Sequence, residues 1–199
     1  MLEASSTLKG EMLAKAQFGS SYKIKDLGDA KLILGMQIDR KANGDITLSQ
    51  HAYYEWLLER FNMSGCAPLT TPLLLGLSLT IEDGPSSEKE KEEMMKIPYY
   101  EALGSLMWLQ VATRPDLAFA VRLLARFAHN PGKEHWRALK HVMGYVKGTI
   151  SYGIMYQAGE GLKPIGYVDS DFAGCQSTRR STDGNIFLVA GGPVSWESK

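Results

Sequence analysis

Apolar positions change their period several times along the chain, and each change marks an element. Over Leu2–Phe18, Leu8, Met12 and Leu13 fall near i, i+4 spacing among helix formers, which predicts a short amphipathic helix. Lys25-Asp26-Leu27-Gly28 then reads as a turn, and the run Leu32–Ile38 inside Lys31–Arg40 as a strand. Asn43-Gly44 and the alternating Asp45–Leu48 turn that strand back on itself, giving a β-hairpin. Ser49 is placed to cap a helix that buries Tyr53, Trp56, Leu57 and Phe61 and ends near Asn62.

Prolines at 68 and 72 interrupt regular structure. The segment up to Lys96, with Gly76, Gly84, Pro85 and the charge run Glu88–Glu93, reads as a mobile, solvated connector. Pro98–Thr149 restores helical periodicity three times. Tyr100, Leu103, Met107 and Val111 mark a first helix; Leu117, Val121, Leu124 and Ala128 a second; Trp136, Leu139, Met143 and Val146 a third, stopped at Gly148. Thr113-Arg114-Pro115-Asp116 has the order of an N-cap: hydroxyl, early proline, then acid.

Beyond Ile150 the pattern turns to strands: Tyr152–Gln157, Ile165–Ala173, and Asn185–Ala190 joined to Pro193–Glu197 through Gly191-Gly192, with a polar loop at Gln176–Asp183. Three terminal strands without a helix to cover them do not make a finished domain. The reading is thus an α+β chain in five parts: 1–72, hairpin and helix; 73–97, an acidic connector; 98–149, a three-helix bundle; 150–164, a tether; and 165–199, a truncated sheet.

Composition narrows the class. With 44% hydrophobic and 22% charged residues and a net charge of zero, the 199-residue chain is of ordinary globular type. No apolar run of membrane-spanning length and no signal peptide at Met1–Gly10 are found, so an intracellular setting and no membrane partner are expected. Cys66 and Cys175 are too isolated for a zinc ribbon or disulfide framework. His51, His129, His135 and His141 lack metal-ligand spacing and read as surface or half-buried.

The neutral total hides an uneven distribution. Arg114–Thr149 holds seven basic residues against two acidic ones, a local net charge of +5. Arg122 and Arg126 lie at i, i+4 and Arg137 and Lys140 at i, i+3, so with Lys133 and Lys147 they offer cations to a phosphate backbone. Asp169 and Asp171, two apart at a strand end, share one face and are candidate ligands for Mg²⁺.

Several blocks in order carry a resemblance: Leu34-Gly35-Met36, Leu48-Ser49-Gln50, Leu58-Glu59-Arg60-Phe61, Thr71-Pro72, Leu103-Gly104-Ser105-Leu106-Met107, Thr113-Arg114-Pro115-Asp116, His135-Trp136 and Tyr145–Thr149. Together they resemble the Pol polyprotein of copia-type long-terminal-repeat retrotransposons over nearly the whole chain. The resemblance implies a primer-grip-like hairpin over Ile33–Leu48 (Leu34, Gly35 and Met36 as grip residues), thumb-like helices over Pro98–Thr149 and the opening strands of a ribonuclease H domain at Ile165–Lys199. Asp169 then stands where the family has its first metal-binding acid.

Tyr167-Val168-Asp169-Ser170 superficially resembles the Tyr-X-Asp-Asp motif of polymerases, but that motif precedes the hairpin in the family, and nothing before Tyr22 has paired aspartates. Both active sites are therefore expected to be incomplete. The complete family enzyme uses Mg²⁺; this chain is expected to have no functional cofactor. The implied partners are an RNA–DNA or DNA duplex and the remaining polyprotein segments. The alternatives are an active ribonuclease H or polymerase completed by a partner or by the rest of the polyprotein, and a non-catalytic interaction module.

Overall fold

The computed structural model describes residues 7–172 and 181–199. Ala173, Cys175 and the 176–180 part of the expected polar loop lie outside the described residues. The chain is α+β, with an antiparallel four-stranded sheet, a helical block, and an antiparallel three-stranded sheet.

Helix α1 (Leu8–Ser21) forms with Thr7 as its N-cap, but it buries no residue, and Leu8, Met12 and Leu13 all face solvent. The apolar run after it is not one strand. Leu34 (φ 49°) and Gly35 (φ 78°) form a two-residue turn that splits it into β1 (Leu32–Ile33) and β2 (Met36–Arg40), with Ile33 paired to Met36. Two successive positive φ values match the twist of the flanking strands, and Gly35 adopts its value without strain. The expected Asn43-Gly44 hairpin follows. Gly44 (φ 90°) closes the loop between β2 and β3 (Ile46–Ser49), where the Lys41 N–H donates to the Asp45 carbonyl.

Ser49 ends β3 instead of capping the next helix. The cap position is Gln50, and α2 (His51–Arg60) buries Tyr54, Leu57 and Leu58 while Trp56 stays largely exposed. The fourth strand of the first sheet, β4 (Gly153–Tyr156), arrives more than a hundred residues after β3, and Leu48 pairs with Ile154. Part of the expected tether thus closes the sheet. Gly153 is required there, because a Cβ at this position would lie 2.4 Å from the Leu48 carbonyl oxygen.

The acidic run in the connector is helical: α3 (Glu88–Met95) starts in a capping box in which the Ser87 hydroxyl accepts from the Glu90 N–H and Glu90 reaches back to Ser87. Met94 and, upstream, Leu79 are buried.

The core lies where α4 (Tyr99–Ala112), a 3-10 turn at Pro115–Leu117, α5 (Ala118–Ala125) and α6 (Lys133–Gly148) pack with α2. Leu117, Val121 and Leu124 of the second stripe and Leu139, Met143 and Val146 of the third are buried as expected. The first helix buries a different side from the expected stripe. Tyr99, Ala102, Leu106 and Leu109 are buried with Leu103, while Tyr100, Met107 and Val111 are exposed. That helix is apolar nearly all round, so periodicity alone does not choose its face.

Gly148 ends α6 by close approach: a Cβ there would meet the Leu69 carbonyl oxygen at 2.3 Å, and one at Gly144 would meet the Leu69 side chain at 2.9 Å. The two glycines, one helical turn apart, let the Ala67–Leu69 segment lie on the helix, with the Leu69 N–H donating to the Gly144 carbonyl at 3.0 Å.

The second sheet runs β5 (Ile165–Asp171), β6 (Thr182–Val189), β7 (Gly192–Ser198) in spatial order. Its tight turn is Ala190-Gly191 (φ 51° and 76°), not the expected Gly191-Gly192. Gly192 is a strand residue whose missing Cβ makes room for the Met155 carbonyl and the Tyr156 ring, each 2.6 Å from where that Cβ would stand. Helices reach this sheet at β7, while every residue of β5 is exposed. Trp196 Nε1 donates to the Gln110 carbonyl at 2.8 Å, which docks β7 on α4.

Candidate functional site

Thr113–Asp116 does not act as a helix cap. Thr113 and Arg114 are buried, and the Thr113 hydroxyl donates to Gln50 Oε1 at 2.7 Å. Arg114, 1% exposed, holds Asp116 through Nε–Oδ1 at 2.9 Å and Nη2–Oδ2 at 2.7 Å, and its Nη2 donates to the Thr149 hydroxyl at 2.6 Å. The guanidinium lies 5.4–5.5 Å from the ring centroids of Tyr54, Tyr145 and Tyr152. Burial works against its charge, but the hydrogen bonds and charge of Asp116 outweigh that and raise its pKa. Burial, together with the hydrogen bond it donates to Asp116 Oδ2 at 2.9 Å, pushes the Tyr145 phenol up to about 12. These residues tie α2, the end of α4, the end of α6 and the start of β4 into one unit.

That unit forms one wall of a cleft of about 600 Å³. Pro115, Asp116 and Phe119 line one side, and Tyr167, Asp169, Asp171 and Ile186 line the other. Register explains part of the second wall, which Val168, Asn185 and Glu197 also line. Tyr167 pairs with Ile186, Asp169 with Gly184 and Asp171 with Thr182, and directly paired residues share a face of the sheet. Asp183 is paired with Ser170, and Glu197 with Asn185, itself opposite Val168, so both fall on the alternate set of positions.

The carboxylates in the cleft do not fit a two-metal centre. Such a centre needs several acids converging on two cations about 3.5–4 Å apart. Here Asp169 and Asp171 stand together and Glu197 lines the cleft from the alternate set of strand positions, while both oxygens of Asp116 are engaged by Arg114 and Tyr145. Asp169 Oδ1 accepts from the Ser170 N–H at 2.9 Å. Among the described residues no three His, Cys, Asp or Glu side chains are grouped to hold a metal ion.

The six candidate phosphate-binding cations divide by environment. Arg122, Arg126, Arg137 and Lys140 are exposed on α5, at its C-terminal end and on α6. Arg126 lies 5.6 Å from the centroid of the Phe127 ring and Lys140 5.9 Å from that of Trp136, while Arg137 is 3.7 Å from Glu134. Lys133 pairs with Glu93 at 2.6 Å. Lys147 donates to the carbonyls of Ser64 and Cys66, both at 2.6 Å, and so clips the 64–66 loop to α6. Leu34, Gly35 and Met36 sit at the β1–β2 turn, with Leu34 72% exposed.

Sequence reading also missed the burial of His135 and Gln50. His135 is fully buried, contrary to the expectation for all four histidines. Its Nδ1 accepts the Gly132 N–H at 2.9 Å, so Nε2 carries the proton toward the Thr80 carbonyl at 3.1 Å, and the ring stacks on Phe127 with centroids 4.1 Å apart. Burial lowers its pKa. Gln50, also fully buried, is fixed by Thr113. The only local signal for His135 is its place three residues after Gly132, where a side chain can reach back to the first free N–H of a helix.

Residues 3–75 match the family described as Reverse transcriptase (RNA-dependent DNA polymerase). Across 188 residues the chain is 44% identical to the Retrovirus-related Pol polyprotein from transposon TNT 1-94 of Nicotiana tabacum, covering 93% of this chain and 14% of that protein. It is 36% identical over 178 residues to the Retrovirus-related Pol polyprotein from transposon RE2 of Arabidopsis thaliana, 89% of this chain and 12% of that one. With the Uncharacterized mitochondrial protein AtMg00810 of Arabidopsis thaliana it shares 34% identity over 183 residues, 92% of this chain and 72% of that protein. The chain belongs to the copia-type retrotransposon Pol polyprotein family, of which it represents a reverse transcriptase-related part. No solved structure matches it. No described helix is long and apolar enough to cross a membrane.

Proposed function

We propose that this chain binds a template–primer-like duplex through the cations of its helical block and does not catalyse by itself. The carrying observation is the exposure of Arg122, Arg126, Arg137 and Lys140 along the segment of α5 and α6, whose Leu124, Leu139 and Val142 are packed into the core. Lys133 and Lys147 contribute less, because one is paired with Glu93 and the other holds the 64–66 loop. In this reading 98–149 acts as the thumb, the β1–β3 hairpins as the primer grip, and Asp169 descends from the first ribonuclease H acid.

Duplex affinity should fall steeply with salt, and replacing Arg137 and Lys140 by Gln should lower the log–log slope by about 2, near 0.9 for each phosphate no longer neutralised. Salt-independent affinity sinks the proposal.

A second reading, ribonuclease H activity when the rest of the polyprotein is present, is favoured by the placement of Asp169 and Asp171 side by side in the cleft. Its test is Mg²⁺-dependent cleavage of an RNA–DNA hybrid by the longer polyprotein, abolished in Asp169→Asn.

A further inference from the structure

His135 sits where the connector meets α6, and both of its ring nitrogens are committed there. Nδ1 accepts the Gly132 N–H at the start of the helix, and Nε2 donates to the Thr80 carbonyl just before the Ile81–Asp83 turn. The turn holds that carbonyl in place. Asp83 Oδ2 accepts the Thr80 N–H at 2.7 Å and the Thr80 hydroxyl at 3.1 Å, and the Gly84 N–H donates to the Ile81 carbonyl at 3.1 Å. Turn and helix start fit closely: a Cβ at Gly132 would run into the Asp83 carbonyl, and one at Gly84 would stand 2.9 Å from the Asn130 amide nitrogen.

Apolar anchoring of the connector is light. From Leu73 to Lys96 the buried side chains are Leu79 and Met94, whereas α6 buries eight residues. The Lys133–Glu93 pair joins α3 to α6 at the surface, where ion pairs contribute little. Segments with few buried apolar contacts open locally while the rest of a fold stays closed.

The contact is specific for one protonation state. A neutral imidazole donates from one nitrogen and accepts at the other, as Thr80 and Gly132 require. An imidazolium donates from both, so its Nδ1–H would face the Gly132 N–H and leave that buried donor without an acceptor. The bond to Thr80, Asp83 on the turn and Glu134 on α6 favour the charged ring, while Arg126, near the Phe127 ring on which His135 stacks, opposes it. None of these restores an acceptor to Gly132, whereas a ring that leaves the site is hydrated on every side. We propose that His135 is an acid-sensitive bolt, whose protonation releases the connector from the first turn of α6 while the core of the helical block stays folded. Release draws Glu93 away from Lys133 and requires no nucleic acid.

Amide hydrogen exchange of the full chain, read by mass spectrometry from about pH 7.5 to 5 and corrected for the intrinsic pH dependence of exchange, tests this directly. Opening of 77–97 should rise roughly tenfold between about pH 7.5 and 5.5, because the released ring titrates near the ordinary 6.5 and the bolted one lower. Protection of 139–146, in the core of α6, should be retained. His135→Gln should keep the connector closed and abolish the rise, since a glutamine three residues after an N-cap reaches back to the same N–H without titrating. His135→Ala should leave the connector open at every pH. Glu93→Gln should shift protection equally across the range, because Lys133 holds the Glu93 carboxyl below the usual carboxylate range.

Connector protection that does not change with pH, a loss in 139–146 in step with the connector, or an acid response that survives in His135→Gln overturns the proposal. The comparison of the two regions in the wild type stands whether or not a variant folds. Duplex affinity plays no part in the measurement, so failure of the bolt leaves the duplex reading intact, and failure of the duplex reading leaves the bolt.

Discussion

Arg114 and Asp116, two residues apart, form a side-chain pair closed by two parallel hydrogen bonds, with the arginine buried and the carboxylate at the rim of the cleft. The pair does more than neutralise charge. Asp116 also accepts from Tyr145 on α6, and Arg114 also donates to Thr149 beyond the end of that helix. A local motif thereby fastens the third helix of the block to the turn that begins the second.

Removing one partner should be far worse than removing both. Asp116→Ala is expected to destabilise the fold by about 3–5 kcal/mol, the range for stranding a buried charge. Arg114→Met with Asp116→Leu should recover much of that stability, because it leaves no unpaired ion. Urea unfolding of the single and double variants measures both, and equal destabilisation in the two would show that an unpaired buried charge is not the cause of the loss.

Two glycines give a contrast with opposite signs. Gly148→Ala sets a Cβ 2.3 Å from the Leu69 carbonyl oxygen, a clash with backbone, and should destabilise by about 1–3 kcal/mol. Gly104→Ala, exposed within α4 and with nothing within 4 Å of the new Cβ, should stabilise by up to about 1 kcal/mol. Thermal or urea midpoints report the difference.

The buried His135 predicts a specific acid response. Its folded pKa lies below the ordinary 6.5, so as pH falls the unfolded chain takes up the proton first. Its contribution to stability is full above about pH 6.5 and is lost progressively below it. Burial is the dominant cause; the hydrogen bond to the Thr80 carbonyl and, less, the charges of Asp83 and Glu134 soften the effect by favouring the charged ring. Urea midpoints from pH 7.5 down to 5 should fall for the wild type and less steeply for His135→Gln.

At the first turn, Leu34 holds φ 49° while 72% exposed, a conformation that Asn adopts more readily than Leu. Leu34→Asn creates the favoured Asn-Gly pair of a two-residue hairpin and should strengthen it by about 1 kcal/mol. Amide exchange of β1 and β2 is the direct readout.

Much of the fold is legible in the sequence because its signals are local. Leu117, Val121 and Leu124, and likewise Leu139, Met143 and Val146, repeat at helical spacing and are buried at those positions. Asn43-Gly44 marks a real hairpin, since a turn depends on the conformations open to its own residues. The family blocks are readable for a different reason: their order along the chain needs no structure.

What stays hidden depends on partners distant in sequence. The same Thr-Arg-Pro-Asp string that reads as a helix cap is a buried network, because Gln50 and Thr149 come to meet it. Lys147 reads as a free cation until the 64–66 loop presents its carbonyls.

The strand of Asp169 and Asp171 shows the division most clearly. Side-chain alternation along a strand is a property of the backbone, so sequence alone determined that these two acids share a face. Only the tertiary structure decided what that face looks onto: a cleft in which Asp116 is already engaged by Arg114 and Tyr145 and which Phe119 and Tyr167 also line. Burial, ion pairing and the walls of a cleft arise between segments, and no local pattern encodes them.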